Sequence, residues 1–256
     1  MPVSIFDSPE FNQNLFFPRP DSGSRASDAE DLMIQVAPGI KVHVRQHRFP
    51  LADFSLLYFH GNGEIVADYD DLASSFMELN GEFLVADYRG YGKSTGYPTL
   101  RSALEDAGRI YQALKEAGRL HPKICVMGRS LGSASAIELC ARFPEINACI
   151  IESGYADPIP LVERRGLRIE RTTPEEDALF NNSRKIARVQ CPLLIMHGAE
   201  DVLISPREAQ LNYEQAGSKM KSLRILEGVG HNDILFAPGN AYFKTLKSFL
   251  EAALNP

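Results

Sequence analysis

A chain of 256 residues is long enough for one large α/β domain and too long for a minimal module. Hydrophobic residues make up 44% and charged residues 23%, as in ordinary soluble globular proteins, and a net charge of −6 argues against a nucleic-acid binder. No apolar run approaches a membrane span and no basic-then-apolar leader opens the sequence, so the expectation is a cytoplasmic address without integral membrane association.

A Phe- and Pro-rich entry segment comes first. Asp31–Val36 and Lys41–Arg48 flank the turn Ala37-Pro38-Gly39 and predict a β-hairpin, with His43 and His47 on one exposed face. Phe54–Phe59 predicts an apolar strand, Ile65–Leu79 a helix, Phe83–Ala86 a strand, and Leu100–Ala117 a helix with apolar residues at helical spacing. Lys123–Met127 predicts a buried strand and Ser133–Phe143 a helix rich in small residues. Ala148–Ile151, Leu193–Met196 and Leu223–Leu226 add strands, and Ala209–Gln215 and Ala241–Ala253 add helices. This alternation predicts a mostly parallel sheet of about eight strands with helices on both faces. The four cysteines have no Cys-x-x-Cys or metal-ligand spacing and read as small core residues, so neither a metal nor an organic cofactor is expected.

The alternation fails between Gly154 and about Val189, too long a stretch for an ordinary α/β connection. Within one domain spanning 1–256, residues 155–188 are expected to form a short lid insertion at the carboxyl edge of the sheet. Its apolar members Ile159, Leu161, Val162, Leu167 and Ile169 are candidates to line an acyl pocket. The arginines at 164, 165, 168 and 171 could attract an anionic acyl donor, but such a run usually forms a solvated face.

Gly128-Arg129-Ser130-Leu131-Gly132 lies between a predicted strand and a predicted helix. That context makes Gly-x-Ser-x-Gly a nucleophile elbow, a strained turn that lifts the Ser130 hydroxyl clear of the sheet. A serine hydroxyl needs a base to accept its proton. His121 reads as a surface residue, while His60 and His197 end strands. His231 lies in a polar loop after the last strand and before the last helix, where the chain order Ser–acid–His puts the base. Asp201, in His197-Gly198-Ala199-Glu200-Asp201, is the favoured acid; Glu152 at the preceding strand end is its rival, and Asp233 reads as a helix N-cap. His60-Gly61-Asn62-Gly63 follows a strand and opens a predicted helix, so the backbone N–H groups of Asn62 and Leu131 are the expected oxyanion-hole donors. The loop Asp87–Ser94 reads mainly as scaffold, with Tyr91 at most lining the pocket.

Together Tyr58–Gly63, Asp87–Ser94, Gly128–Gly132, His197–Asp201 and Gly230-His231-Asn232-Asp233 resemble the α/β-hydrolase superfamily of serine hydrolases, over about Leu32 to Leu254. The chain looks like the bem46-like branch, which contains esterases, thioesterases and protein depalmitoylases. That resemblance implies Ser130 as nucleophile, Asp201 as acid and His231 as base. The depalmitoylase members carry an N-terminal cysteine cluster for their own lipidation, whereas residues 1–30 here hold no cysteine, so membrane-bound acyl-protein substrates are not the expectation. The expectation is a serine hydrolase of small-molecule acyl esters or thioesters acting through an acyl-enzyme. Peptide-bond or carbon–carbon hydrolysis by the same triad is the alternative, and a non-catalytic binding protein retaining the fold is the alternative from a different class.

Overall fold

Strands that are apolar along their whole length have to be covered on both faces. The computed structural model describes residues 4–23 and 29–255. Its strands are β1 (Ala29–Ala37), β2 (Ile40–His47), β3 (Phe54–Phe59), β4 (Gly81–Ala86), β5 (Ile124–Arg129), β6 (Ala148–Glu152), β7 (Leu193–Gly198) and β8 (Lys221–Leu226). The helices are α1 (Pro9–Leu15), α2 (Ala73–Met77), α3 (Leu100–Glu116), α4 (Ser133–Arg142), α5 (Ile159–Glu163), α6 (Pro174–Phe180), α7 (Asn182–Lys185), α8 (Pro206–Gln215) and α9 (Ala241–Leu254). The strand order is β1-β2-β4-β3-β5-β6-β7-β8. β1–β2 and β2–β4 pair antiparallel, and the other pairings are parallel.

Alternate side chains of the central strands enter opposite cores. Leu57 and Phe59 of β3 pack with α3 and α4, whereas Leu56 and Tyr58 pack with α2 and α9. The amphipathic pattern read in α3 holds: Leu100, Leu104, Ala107, Tyr111 and Leu114 are buried. Thr99 starts that helix by accepting from the Ser102 N–H at 3.0 Å. β4 lies on one side of β3 and β5 on the other, so the chain reverses direction across the sheet at β3. The crevice beyond the carboxyl ends of β3 and β5 is therefore the topological switch point, where open α/β sheets hold ligands.

Within residues 155–188, a non-helical stretch at 164–173 separates α5 from α6, α7 and a 3-10 turn at Ile186–Arg188. Val162, Leu167 and Phe180 from this segment join Phe6, Phe11 and Phe16 from the entry segment in a third apolar cluster. Phe6 stacks on Phe180 with ring centroids 4.3 Å apart. Tyr88 and Leu131, which follow the ends of β4 and β5, belong to the same cluster. The Phe-rich start of the chain is thus packed next to the carboxyl edge of the sheet.

Two expectations are corrected. Ile65–Leu79 is not one helix but a 3-10 turn, Val66–Tyr69, followed by the short α2. The first N–H groups are captured by side chains instead, Ile65 N–H by Asp68 at 2.9 Å and Val66 N–H by Asp87 at 3.0 Å. His43 and His47 are buried, not exposed. β2 lies between β1 and β4, and from Val42 to His47 both of its faces are covered. His43 finds polar partners there, with Nε2 2.9 Å from Asp31 Oδ1 and Nδ1 3.4 Å from Asp87 Oδ2.

Candidate active site

The turn at Ser130 is possible only because backbone fills the space that side chains would need. Ser130 has φ +51°, a left-handed conformation that is strained for a residue with a Cβ. A Cβ on Gly128 would lie 2.2 Å from the Gly132 carbonyl oxygen, and one on Gly132 would lie 2.0 Å from the Phe59 carbonyl oxygen. Both glycines of Gly-x-Ser-x-Gly are therefore demanded by close packing of β5, the turn and β3. Ser130 ends up buried and lines a cavity.

The side chains of Ser130, His231 and Asp201 form one hydrogen-bonded chain. Asp201 Oδ2 accepts from His231 Nδ1 at 2.7 Å, and His231 Nε2 is 2.9 Å from Ser130 Oγ. A carboxylate only accepts, so Nδ1 carries the imidazole proton and Nε2 is left to accept the Ser130 hydroxyl proton. Asp201 is fixed from other sides as well. The N–H groups of Leu203 and Ile204 donate to Oδ1 at 2.9 and 2.8 Å, and His197 Nε2 is 3.0 Å from Oδ2. Burial pushes the Asp201 pKa up, but the hydrogen bonds from His197, His231 and the backbone outweigh it and hold the carboxyl below its usual range.

Glu152 is engaged elsewhere. Tyr242 donates its hydroxyl to Oε2 at 2.5 Å, and Arg129 Nε is 3.1 Å from Oε1. Burial raises the Glu152 pKa above its ordinary value, against the pull of the Arg129 charge and the Tyr242 hydrogen bond. Asp233 does not cap a helix with its side chain; it accepts from the Gly230 N–H at 2.6 Å and so tightens the loop that carries His231. His60 is buried with Nε2 3.1 Å from Asp87 Oδ1.

Asn62 is fixed beside Ser130 by its side chain. Oδ1 accepts from the Phe17 N–H at 2.8 Å and the Tyr91 hydroxyl at 2.6 Å, and Nδ2 donates to the Leu15 carbonyl at 2.7 Å. Tyr91 is buried and holds Asn62 rather than lining the cavity. The entry segment, to which no role is assigned from sequence, therefore positions this loop, and Leu15 and Phe17 face the cavity too. An aromatic-rich segment of this kind signals burial but not its location.

The cavity, of about 340 Å³, joins Ser130, His231, Asn62 and Leu131 to Phe17, Leu161, Val202 and Leu203. Arg164 and Arg165 also line it; all four arginines are exposed, as a solvated face would be, and two of them border the site. Of the five apolar residues proposed for an acyl pocket, Leu161 lines the cavity, whereas Val162 and Leu167 are buried in the third cluster and Ile159 and Ile169 pack against it. Among the described residues no group of three or more His, Cys, Asp or Glu is placed to hold a metal ion, and no helix is long and apolar enough to cross a membrane.

The family described as serine aminopeptidase, S33, matches residues 52–173 and 160–236. Human alpha/beta hydrolase domain-containing protein 17B is 30% identical over 241 residues, covering 90% of this chain and 78% of that protein. Human alpha/beta hydrolase domain-containing protein 17C is 33% identical over 215 residues, covering 80% of this chain and 60% of that protein. The chain thus spans about three fifths of the length of the 17C relatives. A Pyrococcus furiosus esterase has the same fold, with a TM-score of 0.78 at 19% identity over 94% of this chain and 100% of that one.

Proposed function

The chain belongs to the serine aminopeptidase, S33, family of α/β-hydrolases, and on that premise we propose that it hydrolyses acyl esters or thioesters through an acyl-Ser130 intermediate. The observation that carries this reading is the hydrogen-bonded chain from Asp201 through His231 to Ser130, opening into a cavity with apolar walls. Ser130 Oγ forms a bond to the substrate carbonyl carbon as its proton passes to His231 Nε2. Asp201, acceptor-only and charged, stabilises the imidazolium. The tetrahedral oxyanion sits between the backbone N–H groups of Leu131 and Asn62, where loss of one donor costs about 3 kcal/mol of transition-state stabilisation. The carbonyl–oxygen or carbonyl–sulfur bond then breaks, and His231 returns the proton to the leaving group. Water, deprotonated by His231, attacks the acyl-enzyme, and the released Ser130 oxygen recovers a proton. Residues 155–188 act as a lid over this site through Leu161.

The peptidase alternative is weaker on charge. An aminopeptidase recognises a cationic α-amine with carboxylates, whereas the charged rim of this cavity carries Arg164 and Arg165. The test is covalent labelling by a fluorophosphonate together with turnover of 4-nitrophenyl esters of increasing acyl length. Wild type should be labelled and active, and Ser130→Ala should be neither while keeping its circular dichroism spectrum. Labelling that survives in Ser130→Ala would place the nucleophile elsewhere.

A further inference from the structure

Arg164 and Arg165, immediately after α5, are cations without a carboxylate partner among the described residues, and both line the cavity that holds Ser130. Arg129, the third arginine at that cavity, is by contrast neutralised by Glu64 and Glu152. Each of the two free cations is tethered by a main-chain carbonyl, Arg164 by Leu203 and Arg165 by Asn14. Arg165 also lies over the Phe17 ring, its guanidinium carbon 4.6 Å from the centroid. A guanidinium has five N–H donors, so one carbonyl leaves most of each fork unused. Partial burial draws the Arg165 pKa below its ordinary value, opposed only by the Tyr91 phenol. The chain as a whole carries −6, which by itself repels anions, so two uncompensated positive charges beside Ser130 form a local exception.

We propose that Arg164 and Arg165 bind an anionic oxyacid group, carboxylate or phosphate, carried by the acyl substrate. This deepens and rests on the reading of Ser130 as the residue that attacks the acyl carbonyl. The planar forks suit paired oxygens, and the tethers mean that little side-chain freedom is lost on binding. The apolar neighbours Phe17, Leu161 and Val202 take the hydrocarbon part. The anion belongs either to the acyl chain or to the leaving group, and both positions share the same recognition chemistry.

Two matched substrate pairs separate these sources. Mono-4-nitrophenyl glutarate against 4-nitrophenyl pentanoate places the anion on the acyl chain. Butyryl-coenzyme A against S-butyryl-N-acetylcysteamine places it on the leaving group. Wild type should favour the anionic member of at least one pair in kcat/KM. In the double variant Arg164→Gln/Arg165→Gln that preference should fall about tenfold or more, as expected when charge-assisted hydrogen bonds are lost. Arg164→Lys/Arg165→Lys should recover a good part of it, and all melting temperatures should stay close to wild type. No anionic preference in either pair, or a preference unchanged in the glutamine variant, overturns the proposal. Calorimetric binding of the same four compounds to Ser130→Ala protein keeps this result apart from the hydrolase reading. Tighter binding of an anionic member, weakened by the glutamine substitutions, upholds the arginine site even if wild type turns over none of the four. Equal binding of both members of each pair overturns it.

Discussion

Arg129 Nη2 donates to the main-chain oxygen of His231 at 3.0 Å, so the residue before Ser130 holds the loop that carries the histidine opposite it. The same nitrogen donates to Asn232 Oδ1 at 3.1 Å, while Nε is 3.1 Å from Glu152 Oε1 and Nη1 contacts Glu64. Glu64 in turn accepts from the Gly61 N–H at 2.6 Å and the Tyr69 hydroxyl at 2.7 Å. One nearly buried cation therefore joins the ends of β5 and β6, the glycine-rich loop after β3 and the His231 loop.

Replacing that cation should separate charge from shape. Arg129→Met leaves Glu152 buried beside Glu64 without compensation and should destabilise the protein by about 3–5 kcal/mol in urea unfolding. Arg129→Lys keeps a positive charge but loses the forked reach to His231 and Asn232. It should retain most of the stability while kcat falls by about tenfold to a hundredfold at similar KM, as for a base held slightly out of place. A lysine variant with wild-type kcat would remove Arg129 from the positioning of His231.

Asp201→Asn and Glu152→Gln should differ sharply if Asp201 is the acid. The first puts an amide where His231 Nδ1 needs an acceptor-only partner, favours the wrong tautomer, and should lower kcat by about 10⁴. The second changes a group that faces Arg129 and Tyr242, and kcat should fall less than about tenfold. A larger kcat loss in a folded Glu152→Gln protein than in Asp201→Asn would reverse the assignment.

What the sequence reveals follows the range of the interactions. The elbow is legible because Gly128, Ser130 and Gly132 constrain one another within a single strand–turn–helix unit. Chain order brings Asp201 and His231 to the right edge of the sheet because each follows a strand. The Arg129 bond to His231 joins residues 102 positions after the arginine, and Asn62 is held by Leu15, Phe17 and Tyr91 from two other segments. Neither leaves a periodic or spacing signal. His43 and His47 mislead for a related reason: alternation in a hairpin predicts one wet face, but β2 pairs on both edges and is covered on both sides. The arginines after α5 look like any solvated run until the fold sets two of them beside Ser130.

Burial of His47 has a pH signature. Burial, helped by the Arg45 charge and opposed by Asp31, pushes the imidazole from 6.5 down to about 4. The unfolded chain then takes up a proton below about 6.5 and the folded chain only below about 4, so stability falls as pH falls through that window and is flat below it for this group. The loss should total about 3 kcal/mol or slightly more. Carboxyls held low in the fold, Asp31 and Asp201 among them, lose their contributions only below the ordinary carboxylate range, and raised ones such as Glu152, Asp106 and Asp157 work in the opposite direction. Subtracting the urea stability of His47→Gln from that of wild type isolates the histidine. That difference should shrink by about 2 kcal/mol between pH 7 and pH 4.5; a difference independent of pH would mean that His47 titrates normally.

Leu161 and Leu167 lie in the same proposed lid but should fail in different ways. Leu161 is half-buried and lines the cavity with Ser130, whereas Leu167 is buried in the cluster built around Phe6, Phe11 and Phe180. Leu167→Ala deletes packed methyl groups from a core and should lower unfolding free energy by about 2–4 kcal/mol. Its kcat/KM should change to the same extent for every ester in the acyl-length series. Leu161→Ala enlarges the cavity wall instead. Its melting temperature should stay near wild type while the preferred acyl chain lengthens, with a selectivity change of about 1–3 kcal/mol per added methylene accommodated. The measurement is kcat/KM across the series beside melting curves for both variants. If Leu161→Ala lowers every substrate equally and in step with its melting temperature, that side chain supports the fold, and residues 155–188 do not shape the acyl pocket through it.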